Sequence, residues 1–156
     1  MRRWTLLGLL ALAVAMLTWS LLGSAEIRAI ERQLRRASVA VGQRTALRPR
    51  VDEFVAARLV LDVEGAIRTL SLREVEAAIN QYVARGPRLH EIQDLEVVVE
   101  SPNARATGTL VISESQAGDL HAEERPFEVW LVRSDRWRID RLTLESARKH
   151  IPEARP

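Results

Sequence analysis

The hydrophobic pattern of this chain changes period once, between Val83 and Leu95, and that change decides which class of fold is open to it. Leu72, Val75, Ile79 and Val83 recur at the spacing of one helix face. Beyond Leu89 the period is two. Leu95, Val97 and Val99 alternate with Glu96 and Glu100, and Ala106, Gly108, Leu110 and Ile112 alternate with Thr107, Thr109 and Ser113. Phe127, Val129 and Leu131 follow a break at 117–119, and Trp137 and Ile139 follow a break at 134–136. Leu142 and Leu144 have the opposite parity to Trp137 and Ile139, which predicts a bulge near Asp140 and Arg141. These connections are too short for crossover helices, so the pattern predicts four strands in an antiparallel sheet.

Three helices are expected before the strands. Ile27, Ile30, Leu34, Ala37 and Val41 make one apolar face, opposed by Arg28, Arg32, Arg35 and Arg36, and Gly42 ends the helix. Val51–Leu61 reads as a second helix with Phe54, Val55 and Leu59 inward, although Leu59, Val60 and Leu61 also fit the start of a strand. The third begins at Ser71, an N-cap closed by Glu74 in a capping box, with Leu70 and Val75 as its hydrophobic staple. The expected class is α+β, with helices packed on one face of a curved, mainly antiparallel four-stranded sheet shaped like a cone.

Ahead of this lies Trp4–Ala25, 22 positions without a charge, after Arg2 and Arg3. As a helix it would extend roughly 33 Å, against a hydrocarbon core of about 30 Å. The expectation is an N-terminal transmembrane helix at residues 1–25 (or a signal segment, cleaved or not), a single α+β domain at 26–146 and a C-terminal tail at 147–156. Membrane contact through residues 4–25 would place the protein in a bacterial inner membrane, single-pass, with its domain in the periplasm. Residues 26–50 carry seven arginines against two glutamates, while residues 51–156 carry 14 basic and 19 acidic side chains. With Glu96, Glu100, Glu123, Glu124 and Glu128 along the strands, a nucleic-acid partner is excluded by charge.

The helices, then residues 91–115, then the ending from Phe127 through a tight turn to Trp137 and Ile139, together resemble the nuclear transport factor two-like superfamily, also called cystatin-like or ketosteroid-isomerase-like. The amphipathic first helix and the turn Asp62-Val63-Glu64-Gly65 before the capped helix add to the likeness, which spans residues 26–146. The segment from Thr45 to Leu61 departs from it. The resemblance implies a cone-shaped domain with a cavity between sheet and helices, used by family enzymes for an acid or base and by other members for binding.

No cysteine occurs, and there is no nucleophile elbow, zinc-protease motif or phosphate loop. No cofactor and no metal are expected. Within the implied cavity the candidates are Tyr82, His90 and Asp94, the last two spaced to share a strand face as a base and its orienting carboxylate; each also reads as an ordinary packed or surface residue. Asp62 and His121 are further candidates. Trp130 has the outward parity, and with Arg133 and Arg138 it is the candidate protein-docking point. The expected function is a membrane-anchored extracytoplasmic protein-binding or assembly module without catalytic activity; the alternative is a small enzyme or carrier of a small apolar ligand using the cone cavity.

Overall fold

The computed structural model describes residues 23–42, 51–86, 88–116 and 119–149. Helix α1 covers residues 23–42. A single helical turn, α2 (Val51–Phe54), runs directly into β1 (Val55–Val63), which turns back as β2 (Ala66–Ser71). Helix α3 (Leu72–Ala84) precedes four long strands: β3 (Leu89–Glu100), β4 (Asn103–Gln116), β5 (Asp119–Arg133) and β6 (Trp137–Leu144). A short β7 (Arg148–Lys149) pairs with β5. The sheet order is β2-β1-β6-β5-β4-β3, antiparallel throughout except that β1 and β6 run parallel.

The expected four-stranded sheet is therefore corrected to six strands in one path, with β7 beside it. The two missed strands come from Val55–Ser71, where the helix expected over 51–61 stops at Phe54. The aliphatic run of β1 pairs on both sides, with β2 and with β6, and this pairing overrides its ambiguous period. The hairpin turn has a local cause: Glu64 and Gly65 take φ of 55° and 86°, and Asp62 Oδ1 accepts the Gly65 amide at 3.0 Å. The parallel contact is possible because α3 and β3–β5 lie between β1 and β6 in sequence.

The N-terminal assignment also changes. Among the described residues no helix is long and apolar enough to cross a membrane. Residues 23–25, placed in the anchor, belong to α1, and residues 1–22 lie outside the described residues. No helix among the described residues supports the transmembrane helix, the membrane contact through residues 4–25, the inner-membrane and periplasmic placement or the anchored assembly module.

Other expectations hold in detail. Ser71 caps α3 and Glu74 closes the box, its carboxylate accepting the Ser71 amide at 2.8 Å. In β6, Ile139 pairs with Leu131 and Arg141 with Trp130, so Asp140 is the extra residue of the predicted bulge. Both helices pack on the same concave face. Ile30 and Leu34 of α1 meet Ala104, Ala106, Phe127, Val129, Leu131 and Trp137 from the long strands. Val75 of α3 meets Val51, Val55 and Leu59 on the β1 side.

Candidate functional site

The concave face changes character along the strands. Three rows are apolar: Val99-Ala104-Leu131-Ile139, Val97-Ala106-Val129-Leu142 and Gly108-Phe127-Leu144. Beyond them come Ile92-Leu110-Arg125, then His90-Ile112-Glu123, then Glu114-His121. α1 begins near the apolar end, where Glu26 pairs with Arg133, and finishes at the polar end, where the Gly42 carbonyl accepts the Arg88 amide at 3.0 Å. A Cβ on Gly42 would lie 2.6 Å from the Arg88 carbonyl oxygen and 3.1 Å from the His90 ring, so glycine is required for this approach. β5, at 15 residues, extends ~50 Å, whereas the 20 described residues of α1 extend ~30 Å. The strands overhang the helix, and the overhang carries the titratable groups.

At the seam His90 is 8% exposed, the one buried ionisable side chain among the described residues. Its Nε2 lies 2.8 Å from the Tyr82 hydroxyl, brought over from the last turns of α3. The Ser38 carbonyl accepts from the imidazole as well. That bond occupies the other ring nitrogen as donor, leaving Nε2 as acceptor and the Tyr82 O–H as donor. Burial holds the His90 pKa below its ordinary value, with Arg88 adding to the effect and the Ser38 bond opposing it. Burial likewise raises that of Tyr82, against Arg88, which lowers it. The Arg88 guanidinium lies 4.6 Å from the Tyr82 ring centroid and donates from Nε to Glu114 at 2.7 Å. Arg125 donates to Glu123 at 3.2 Å and approaches Glu64 of the β1–β2 turn at 3.6 Å.

Of the candidates read from the sequence, Tyr82 and His90 come together and Asp94 stays apart. The β3–β4 register shifts between Gln93 and Glu96; Asp94 takes φ of 51° and is exposed, so the even spacing no longer keeps it on the His90 face. Asp62 is occupied in its turn, and His121 is exposed opposite Glu114. Arg88, Glu114, Glu123 and Arg125 are members of the site that sequence reasoning missed. Strand parity from Phe127 back to Glu123 was the available signal for the last two. On the opposite face Trp130 is exposed as expected, but Arg105 and Arg141 flank it. Arg133 turns inward over Trp137, and Arg138 bonds the Asp52 carbonyl and the Ser134–Asp135 turn.

A separate open depression of about 430 Å3 lies between the β1–β2 turn and the β6–β7 connection, lined by Asp62, Glu64, Thr143, Leu144, Glu145 and Arg148 among others. It does not include Tyr82 or His90. Among the described residues no group of three or more histidine or acidic side chains is placed to hold a metal ion.

No family model matches the chain, and no curated protein matches it in sequence. Solved structures do match in shape. An NTF2-like protein with a cystatin-like fold from Novosphingobium aromaticivorans is 19% identical, with a TM-score of 0.67 over 83% of this chain and 86% of that one. A candidate dehydratase of the NTF2-like family from Streptomyces avermitilis is 13% identical, with a TM-score of 0.67 over 79% and 97%. A Catenulispora acidiphila protein in complex with S-DNPA is 16% identical, with a TM-score of 0.65 over 78% and 93%. At these identities the likeness is one of architecture, and the architecture of this chain is the NTF2-like, cystatin-like α+β fold.

Proposed function

We propose that this domain binds a small, largely apolar molecule at the polar end of its concave face, with Tyr82 and His90 as the groups that orient it. The observation that carries this reading is the 2.8 Å Tyr82–His90 hydrogen bond, held where the apolar rows meet the charged ones. An apolar wall beside a few fixed polar groups is the usual constitution of a small-molecule site. The S-DNPA complex of the Catenulispora acidiphila protein is a precedent for a small molecule on this architecture.

The orientation of the bond also favours a second reading, as an enzyme. Burial keeps the His90 imidazole neutral and the Tyr82 hydroxyl protonated, so His90 would then be the general base and the Tyr82 O–H a hydrogen-bond donor to the substrate.

The test is a titration of the full chain with a panel of small aromatic and alicyclic molecules, followed by tyrosine and imidazole NMR signals. The expected result is saturable binding by at least one class, weakened about tenfold by Tyr82→Phe, which removes one hydroxyl and keeps the ring. A panel that leaves the Tyr82 and His90 signals unmoved overturns the proposal.

A further inference from the structure

α1 turns one row of residues toward the sheet, Ile30, Leu34, Ser38 and Gly42, each one turn after the last. Ile30 and Leu34 are buried in the main cluster, and Gly42 is buried against the His90 ring. Ser38 interrupts the row between them. Its Oγ is closed to solvent and has no hydrogen-bond partner, the one buried side-chain nitrogen or oxygen among the described residues of which this is true. A serine within a helix can give its proton to a carbonyl of the preceding turn, but Ser38 does not. The helix is also held in place around it. Arg35 Nη1 donates to the Ile92 carbonyl at 2.8 Å, the His90 ring donates to the Ser38 carbonyl, and the Arg88 amide donates to the Gly42 carbonyl at 3.0 Å, so α1 is tied to β3 before, at and after Ser38.

A buried hydroxyl without a partner costs stability, whereas alanine at the same place would leave nothing unpaired and would favour the helix. The polar side chains nearby give Ser38 no relief, because each is already engaged. The Tyr82 hydroxyl donates to Nε2 of His90 and is bonded by the Arg88 side chain as well, and the other His90 nitrogen is taken by the Ser38 carbonyl. Arg88 is paired with Glu114 and Arg125 with Glu123. Ser38 Oγ is therefore the side-chain atom left free to bond at this seam, and it lies where Leu34 packs in one cluster with Ile92 and Leu110.

We propose that Ser38 is the specificity-determining residue of the small-molecule site, its hydroxyl bonding a single uncharged oxygen, alcohol or carbonyl, on the ring of the bound molecule. This rests on the reading of the seam as a small-molecule site. Tyr82 and His90 fix the ligand's place, but a hydrogen bond to either replaces one that it already makes, so they add little to the choice between an oxygenated ring and a plain hydrocarbon. A bond to Ser38 is a net gain, and a hydrocarbon leaves the hydroxyl unpaired. Charged ligands are disfavoured by the same surroundings. A carboxylate would find Arg88 and Arg125 engaged and would enter beside Glu114 and Glu123, and an ammonium would meet the Arg88 guanidinium; each would lose its hydration without gaining a counter-charge. The expected class is a neutral ring compound with one oxygen.

The experiment measures binding of 2-indanol, 2-indanone, indane and indane-2-carboxylate to the full chain and to Ser38→Ala, with urea unfolding of both proteins free of ligand. The unaltered chain is expected to bind 2-indanol or 2-indanone about tenfold more tightly than indane, and the carboxylate more weakly than either. Ser38→Ala is expected to bind indane as before and to lose the preference for oxygen, with a urea midpoint at least as high as that of the unaltered chain. The His90 imidazole NMR signals should stay in place, because the carbonyl contact is kept. A preference that survives in Ser38→Ala, or none in the unaltered chain, overturns the role of Ser38 and leaves the small-molecule site standing. A lower midpoint for Ser38→Ala overturns it too, since the hydroxyl would then already have a partner in the free protein. Failure of all four probes to bind overturns the ligand class, and the wider panel of small molecules then decides the site itself.

Discussion

Both ends of the concave face are carried by β3, β4 and β5, with β6 added at the covered end, and they diverge in character where α1 stops. At one end Ala104, Ala106, Val129, Leu131 and Trp137 are buried under Ile30 and Leu34; at the other Arg125, Glu123, Glu114 and His121 occupy the equivalent parity. Alternation alone made both sets inward-facing. What differs is the cover. Where a helix excludes water the face must be apolar, because an unpaired buried charge costs several kcal/mol, and where the strands overhang it can hold ionisable groups in half-buried pairs. His90 sits at the boundary, buried but neutral, with both ring nitrogens satisfied.

That contrast can be tested most severely at the covered end. Trp137 is buried in the main cluster, with the Arg133 guanidinium 5.8 Å from its ring centroid and its carbonyl accepting from Gln33 of α1. Trp137→Ala is expected to cost about 3 to 5 kcal/mol through the cavity it leaves, read as a shift in the urea midpoint. A cost near that of an exposed residue would mean that α1 does not seal this end.

The seam should respond less. Gly42→Ala forces a methyl group against the Arg88 carbonyl and the His90 ring, and either α1 or β3 must move; the expected loss is about 1 to 3 kcal/mol. The same displacement should lengthen the Tyr82–His90 bond, so the imidazole NMR shifts should change together with stability. If stability falls and those shifts do not, the helix end and the site are uncoupled.

The smallest effect belongs to His90 itself and depends on pH. The folded pKa of His90 is depressed by burial, so the unfolded chain takes up the proton first as pH falls. The sign follows: stability is full above the unfolded value of about 6.5 and is lost as pH drops through it toward the lower folded value, with a slope of at most about 1.4 kcal/mol per pH unit. His90→Gln should flatten that part of the profile in urea midpoints taken between about pH 7.5 and about pH 5.5. Parallel profiles for the two would mean that His90 accepts a proton in place, and the neutral acceptor assigned to Nε2 would be wrong.

Much of this arrangement was legible beforehand, for reasons that differ by element. The α3 cap was readable because its donors and acceptors lie three residues apart, and the β6 bulge because a parity change within eight residues has no other geometric explanation. β1 and β2 were not, because a run such as Val55–Val63 fits a helix turn or a strand equally until its partners are known, and its partner β6 is some eighty residues away. Asp94 failed for a related reason: parity arguments assume an unbroken strand, and the irregularity at Gln93–Glu96 lies opposite Gly108, whose missing side chain leaves room for the Gln93 carbonyl.

The sequence by itself determined the inward and outward sets of β4–β6, the cap of α3 and the placement of Trp130 and Trp137 on opposite faces, since each is set by backbone geometry over a few residues. Only the tertiary structure decided that β1 joins β6 in parallel, that Tyr82 meets His90 while Asp94 is turned away, and that α1 ends at His90. Each of those depends on where elements distant in sequence come to rest, and local periodicity carries no information about the length of cover that one element gives another.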